Sequence, residues 1–178
     1  TSSGKSFVAL GAGVIHDKIL YVCPAKPIAY QVGAHYSLMG YKVHYVLDNT
    51  CNTSYDKKTT IFIGVPETIE DMIYKMGIQY DYAVFDEIHN LNKPDDGHIY
   101  ENIIKLIKCP FLALSATIGN ISYLQDIFQK IHNKEIKYIE YTKRFINQQK
   151  MIYDNGKLHN LHPLACISKE DLNQGFLQ

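Results

Sequence analysis

The chain has 178 residues, 46% of them apolar and 20% charged, and its 18 acidic and 18 basic side chains cancel. That balance suits one globular domain able to bury a sizeable core. It excludes a membrane-spanning helix, because no apolar run approaches bilayer length, and it leaves the chain without the overall basic footprint of many nucleic-acid binders.

In chain order, apolar period and turn residues predict alternating elements. Residues 6–15 read as a helix, 18–23 as a strand and 27–39 as a helix. Strands over 42–47 and 60–65 follow, separated by a polar loop over 48–58. A helix over 66–76 places Ile69, Ile73 and Met76 on one face. Next come a strand over 80–85, a polar loop over 90–97, a helix over 98–108 and a strand over 111–115. A helix over 121–132 and a strand over 137–141 complete the core. Alternating strands and helices predict a parallel sheet covered on both faces, with ligands at the carboxyl ends of the strands. In the tail, 148–153 reads as a strand, and Asn155-Gly156 is a strong two-residue hairpin signal.

Two short stretches carry the chemistry. Residues 1–6, Thr-Ser-Ser-Gly-Lys-Ser, have the composition of a phosphate-cradling loop leading into a helix. Backbone amides at a helix start are unpaired and sit at the positive end of its dipole, so Thr1, Ser2, Ser3 and Gly4 are candidates to wrap phosphates. Gly4 lets a phosphate approach without a Cβ, Lys5 supplies an ammonium to the β and γ phosphates, and Ser6 offers a hydroxyl to magnesium. Residues 84–89, Val-Phe-Asp-Glu-Ile-His, are a buried-strand pattern ending in two carboxylates. Asp86 there suits a magnesium ligand, and Glu87 suits the general base that polarises water. Taken alone, each pair also fits an ordinary helix start or turn cap.

Further along, 21–31 (YVCPAKPIAYQ) carries Pro24, Lys26 and Gln31, 64–68 (GVPET) carries Pro66 and Thr68, and 114–120 (LSATIGN) carries Ser115 and Thr117. The prolines fit helix starts, and Ser115 and Thr117 fit a strand end and cap. In this order, with the Gly-Lys-Ser and Asp-Glu-Ile-His stretches, they resemble the first RecA-like domain of superfamily 2 DExH-box nucleic-acid helicases, of the superkiller-type and antiviral DExD/H-box kind. The resemblance covers residues 1 to about 125.

That resemblance implies an α/β, RecA-like P-loop three-layer sandwich whose first strand precedes residue 1, so that the chain is a piece of a longer protein. It implies ATP and Mg²⁺ as cofactors, with catalysis by Lys5, Asp86 and Glu87 and magnesium held by Ser6 and Asp86. It implies that His89, Ser115 and Thr117 couple hydrolysis to movement. Pro24, Lys26, Gln31, Pro66 and Thr68 would meet the backbone of RNA or single-stranded DNA. Valine at position 65 departs from the family's usual Thr-Pro-Glu.

Residues 1–141 are then the ATP-binding domain, and 142–178 a linker and hairpin leading toward a second RecA-like domain. The basic residues are 17 Lys and a single Arg, Arg144, which lies past the core. The arginine finger of such enzymes is therefore expected from that second domain. Cys23, Cys51, Cys109 and Cys166 form no C-x-x-C pair, which fits a reducing cytoplasmic or nuclear setting. The function expected is ATP-dependent RNA unwinding or translocation. The alternatives are a DNA helicase using the same motifs, or a non-catalytic scaffold that keeps the fold.

Overall fold

The computed structural model describes residues 4–48, 58–94, 97–116, 118–140, 150–154 and 156–161. The predicted Thr1, Ser2, Ser3 and Thr117 lie outside the described residues, as does most of the 48–58 loop. The chain divides between Tyr141 and Thr142 into two compact units.

The first unit runs α1 (Lys5–Ile15), β1 (Ile19–Val22), α2 (Lys26–Leu38), β2 (Val43–Val46), β3 (Ile61–Gly64), α3 (Pro66–Met76), β4 (Tyr82–Phe85), α4 (Gly97–Leu106), β5 (Phe111–Ala113) and α5 (Ile121–His132). Its five strands are all parallel, in the order β2-β3-β1-β4-β5. Central β1 is wholly buried, and its side chains alternate between two cores. Leu20 and Val22 join Phe62, Phe85, Ile69, Ile103 and Phe128 on the face covered by α3, α4 and α5. Ile19, Tyr21 and Cys23 join Ala9, Ala29 and Tyr36 on the face covered by α1 and α2. The result is the expected three-layer α/β sandwich.

Helix α3 shows how local sequence sets an element. Pro66 opens it, Glu67 sits in the first turn and Lys75 in the last, and Gly77 ends it at φ 56°. Each choice suits its place along the dipole and the left-handed exit. Ile69 and Met72 point into the core, while Asp71 and Lys75 pair on the outer face at 2.9 Å. Helix α1 is tied down differently: Tyr36 of α2 is buried and donates its hydroxyl hydrogen to the Ala9 carbonyl at 2.9 Å.

Three expected boundaries move. The strand predicted from residue 80 begins at Tyr82, because Asp81 turns its carboxylate to accept the Lys18 N–H at 2.9 Å. The polar loop predicted over 90–97 begins with a 3-10 turn, Ile88–Asn92, whose Ile88 and Asn90 are buried. The strand predicted over 137–141 is irregular through residue 140, and Tyr141 is not described. A strand needs a partner for its backbone, and none of the described strands pairs with this segment. The segment is anchored instead by Gln125, whose side-chain amide donates to the Ile136 carbonyl at 2.9 Å.

In the second unit, β6 (Lys150–Asp154) and β7 (Lys157–Leu161) pair antiparallel with Asp154 opposite Lys157. This is the two-residue connection that Asn155-Gly156 predicts, with Gly156 at φ 80°. Residues 148 and 149 of the predicted strand lie outside the described residues.

Candidate nucleotide and nucleic-acid site

Strand register aligns the strand ends. Val46, Gly64, Val22, Phe85 and Ala113 form one row across the sheet, so the residues after them share its carboxyl edge. That edge carries Pro24 after β1, Pro66 after β3, Asp86 and Glu87 after β4, and Ser115 after β5. Amide-to-carbonyl bonds extend the row one step past the strands: Cys23 to Gly64, Asp86 to Val22 and Leu114 to Phe85, at 2.8–2.9 Å. Ile88 then donates to Leu114 at 2.8 Å, which pins the loop holding Glu87 against the loop after β5.

Gly4 caps α1 at φ 75°, a left-handed geometry open to glycine, and no side chain among the described residues caps the helix. Among the described residues, the first-turn amides therefore have no side-chain cap, and Ser6 is exposed. Lys5 reaches from there across 82 residues of sequence, its Nζ 3.4 Å from Glu87 Oε1. The start of α1 and the acidic strand tip are thus neighbours.

Glu87 is the most constrained residue of the site. Its φ is +52°, a left-handed value uncommon outside glycine, and residues held this way concentrate at functional sites. Its own N–H donates to Asp86 Oδ1 at 3.0 Å. Its second oxygen, Oε2, is buried and lies 3.2 Å from His89 Nδ1, at ion-pair distance but without hydrogen-bond geometry. The same Nδ1 lies 3.2 Å from Ser115 Oγ, and the imidazole tautomer decides which of the two donates. One ring nitrogen therefore stands between the carboxylate of β4 and the hydroxyl beyond β5.

Asp86 has its carboxyl pKa held above the usual range, chiefly by burial and then by the charge of Glu87. The Glu87 amide, Lys5 and His89 oppose that rise. A half-buried carboxylate beside a second carboxylate is a place where added positive charge lowers the energy. Beneath it, Cys23 is a buried free thiol whose pKa is pushed far up by burial and by Asp86, so it is an inert core group.

A second feature lies further along the same edge, at the ends of β2 and β3. Lys26, Leu47, Asp48, Val65, Glu67 and Thr68 line a groove of about 410 Å³. Lys26 is the first residue of α2, and its Nζ lies 3.1 Å from Asp48 Oδ1. Pro24 and Gln31 are not among the groove's walls; Gln31 is exposed in the second turn of α2. Pro66 is buried at the start of α3.

Thr68 corrects the sequence reading. It is buried, and its hydroxyl donates to the Val46 carbonyl, with the Val65 carbonyl 3.1 Å away. It therefore ties α3 to the end of β2 and presents no free hydroxyl to a phosphate. Neither this bond nor the Lys26–Asp48 pair has a signal in the sequence, because both depend on where β2 ends beside α2 and α3.

A family model described as DEAD/DEAH box helicase matches residues 1–127. The chain belongs to that family. An uncharacterised helicase of Caenorhabditis elegans is 30% identical over 171 residues, covering 82% of this chain and 10% of the relative. The DExH-box ATP-dependent RNA helicase DExH11 of Arabidopsis thaliana is 26% identical over 185 residues, covering 99% of this chain and 13% of the relative. The chain thus spans about a tenth of the length of these curated relatives. In fold it resembles S. cerevisiae Dbp5 bound to RNA and ADP BeF3, with a TM-score of 0.64 at 15% identity, over 80% of this chain and 40% of that one.

Proposed function

We propose that this helicase-family domain is the nucleotide-binding half of an ATP-driven RNA motor. The observation that carries the reading is the 3.4 Å approach of Lys5, the first residue of α1, to Glu87 at the acidic strand tip. Lys5 and the amides of residues 2–4 bind the ATP phosphates. Glu87 accepts the proton of the attacking water once phosphate draws Lys5 away from it. His89, facing both Glu87 and Ser115, passes the nucleotide state to the loop after β5, with Thr117 as a further coupling residue.

Magnesium fits this set. A hard cation that keeps its waters and phosphate oxygens needs few protein ligands, and Asp86 with the Ser6 hydroxyl supplies them. The raised carboxyl of Asp86 is the observation that favours a cation there. When bound, the ion neutralises charge developing on the transferring phosphoryl group.

The groove at Lys26 takes the nucleic-acid backbone, contacting phosphate and sugar and reading little sequence. RNA is preferred over DNA because the DExH-box relative above is an RNA helicase. Residues 142–178 link to a second RecA-like domain, which supplies the arginine finger, worth about 10³ to 10⁵ in rate. The free Cys23 and Cys109 suit a reducing intracellular compartment.

The test is Glu87→Gln in the full-length protein, assayed for ATP binding and for ATPase with RNA, with single-stranded DNA and with neither. The variant should bind ATP and lose turnover, and the wild type should respond most to RNA. Unchanged turnover in Glu87→Gln refutes the assignment of the base. Absence of wild-type turnover with either polymer favours the non-catalytic scaffold, and turnover that responds most to single-stranded DNA favours the DNA helicase.

A further inference from the structure

The groove at the ends of β2 and β3 has an odd charge pattern for a place that meets a polyanion. Three of its walls carry charge, and two of them, Asp48 and Glu67, are acidic. Lys26 is the basic one, and its ammonium already touches Asp48 at 3.1 Å. Both partners are well exposed, at 52% and 74%, so water screens the pair and either member can leave it at small cost. Lys26 sits at the first position of α2, and α2 and α3 both begin with cap residues, Ala25 and Val65, whose side chains cannot accept from the first-turn amides. Proline takes one first-turn amide from each helix, at Pro27 and Pro66, and the Ile28 N–H already donates to the Ala25 carbonyl at 3.1 Å, so the Lys26 ammonium is the groove's main donor, and a carboxylate from just past β2 occupies it.

We propose that Asp48 is a counter-charge latch on Lys26, occupying the ammonium in the free domain and displaced by an entering phosphodiester. This rests on the reading of the groove as an RNA-backbone site and adds to it a residue that sets affinity. The exchange is one anion for another. An RNA phosphate that takes Lys26 must break an existing ion pair, so the gain from that contact is the difference between two similar interactions. The latch holds this domain's grip on RNA low until other contacts bring the strand in.

A distinctive salt signature follows. A lysine that neutralises a phosphate lowers the counterion atmosphere of the strand, and affinity for a single strand then falls with a slope of roughly 0.7 per contact in log–log form. While Asp48 holds Lys26, displaced Asp48 regains its own counterion, and the contact adds less than its full share to that slope.

The experiment uses the full-length protein, a fluorescent oligouridylate and a non-hydrolysable ATP analogue, with affinity measured across a salt series. Asp48→Asn should bind roughly 1.5- to 5-fold tighter, the span expected for releasing one exposed ion pair. Its salt slope should steepen, by up to about 0.7. Lys26→Gln should cost more affinity in the Asp48→Asn background than in the wild type. Asp48→Ala should reproduce Asp48→Asn, which guards against an effect of the new amide. Glu67→Gln removes the same unit of charge from the same groove while leaving both members of the pair, and should not change the cost of Lys26→Gln.

If Lys26→Gln weakens binding but Asp48→Asn alters neither affinity nor slope, the latch is wrong and the groove reading survives. Equal effects of Asp48→Asn and Glu67→Gln, with no coupling to Lys26, also overturn the latch, leaving general repulsion. If Lys26→Gln is silent in every background, the groove reading fails and the latch with it.

Discussion

Replacing Thr68 by valine keeps the shape of the side chain and removes only its hydroxyl. In the structure that hydroxyl is 22 residues from its acceptor in sequence and buried with it: Thr68 is 4% exposed and Val46 is 3%. A typical protein hydrogen bond contributes about 0.5–1.5 kcal/mol net, but a buried acceptor left without its donor costs about 1–3 kcal/mol. Valine would place a methyl against the Val46 and Val65 carbonyls and leave the buried Val46 acceptor without its donor. The expected loss is therefore about 2 kcal/mol, which for a domain of this size lowers Tm by roughly 4–8 °C. Urea titration and thermal melting of the domain's transition would measure it, with Thr68→Ser as the variant that keeps the hydroxyl and recovers most of the loss. Affinity for RNA, measured where both proteins are folded, should change little. A Thr68→Val protein of unaltered stability but clearly weakened RNA binding would refute this assignment and restore Thr68 as a backbone contact.

Two further outcomes follow from the same edge of the sheet. Burial and Glu87 hold the Asp86 carboxyl above its usual pKa, so ionised Asp86 is a strain on the folded, nucleotide-free domain. That penalty is absent below the ordinary carboxylate value of about 4 and fully felt once pH rises through the elevated one. Asp86→Asn should therefore stabilise the domain near neutral pH, by an amount that shrinks as pH falls, in denaturation midpoints taken across pH. Destabilisation at neutral pH would show that the carboxylate is held by favourable contacts instead. Gly64→Ala should be strongly destabilising, by about 3 kcal/mol, because a Cβ there would fall on the Val46 carbonyl oxygen of the neighbouring strand. Tolerance of alanine in a melting experiment would mean that β2 and β3 lie further apart than described.

Much of the site was legible because its chemistry is local. The placement of Gly4-Lys5-Ser6 at a helix start and of Asp86-Glu87 at a strand tip follows from residue type and immediate neighbours. The α3 and α5 helices were equally plain, since their apolar spacing and end residues agree. The groove was harder to read. Thr68 sits in a Pro-Glu-Thr run that suggests a phosphate contact, yet packing against β2 turns its hydroxyl inward. The irregular course of residues 137–140 was hidden for a related reason, as strand-favouring residues such as Tyr138 and Ile139 form a strand only when another edge is there to receive them.

The sequence by itself determined the alternation of helix and strand, and it named the groups proposed to handle phosphate, metal and water. Tertiary structure decided which of those groups meet. Parallel register brought five strand ends to one edge, set Lys5 within 3.4 Å of Glu87, placed His89 between Glu87 and Ser115, and gave Lys26 an acidic partner in Asp48. Residue type is inherited from the chain one position at a time. Distance across a sheet depends on strand order and register, which arise from how all the apolar faces share two cores at once.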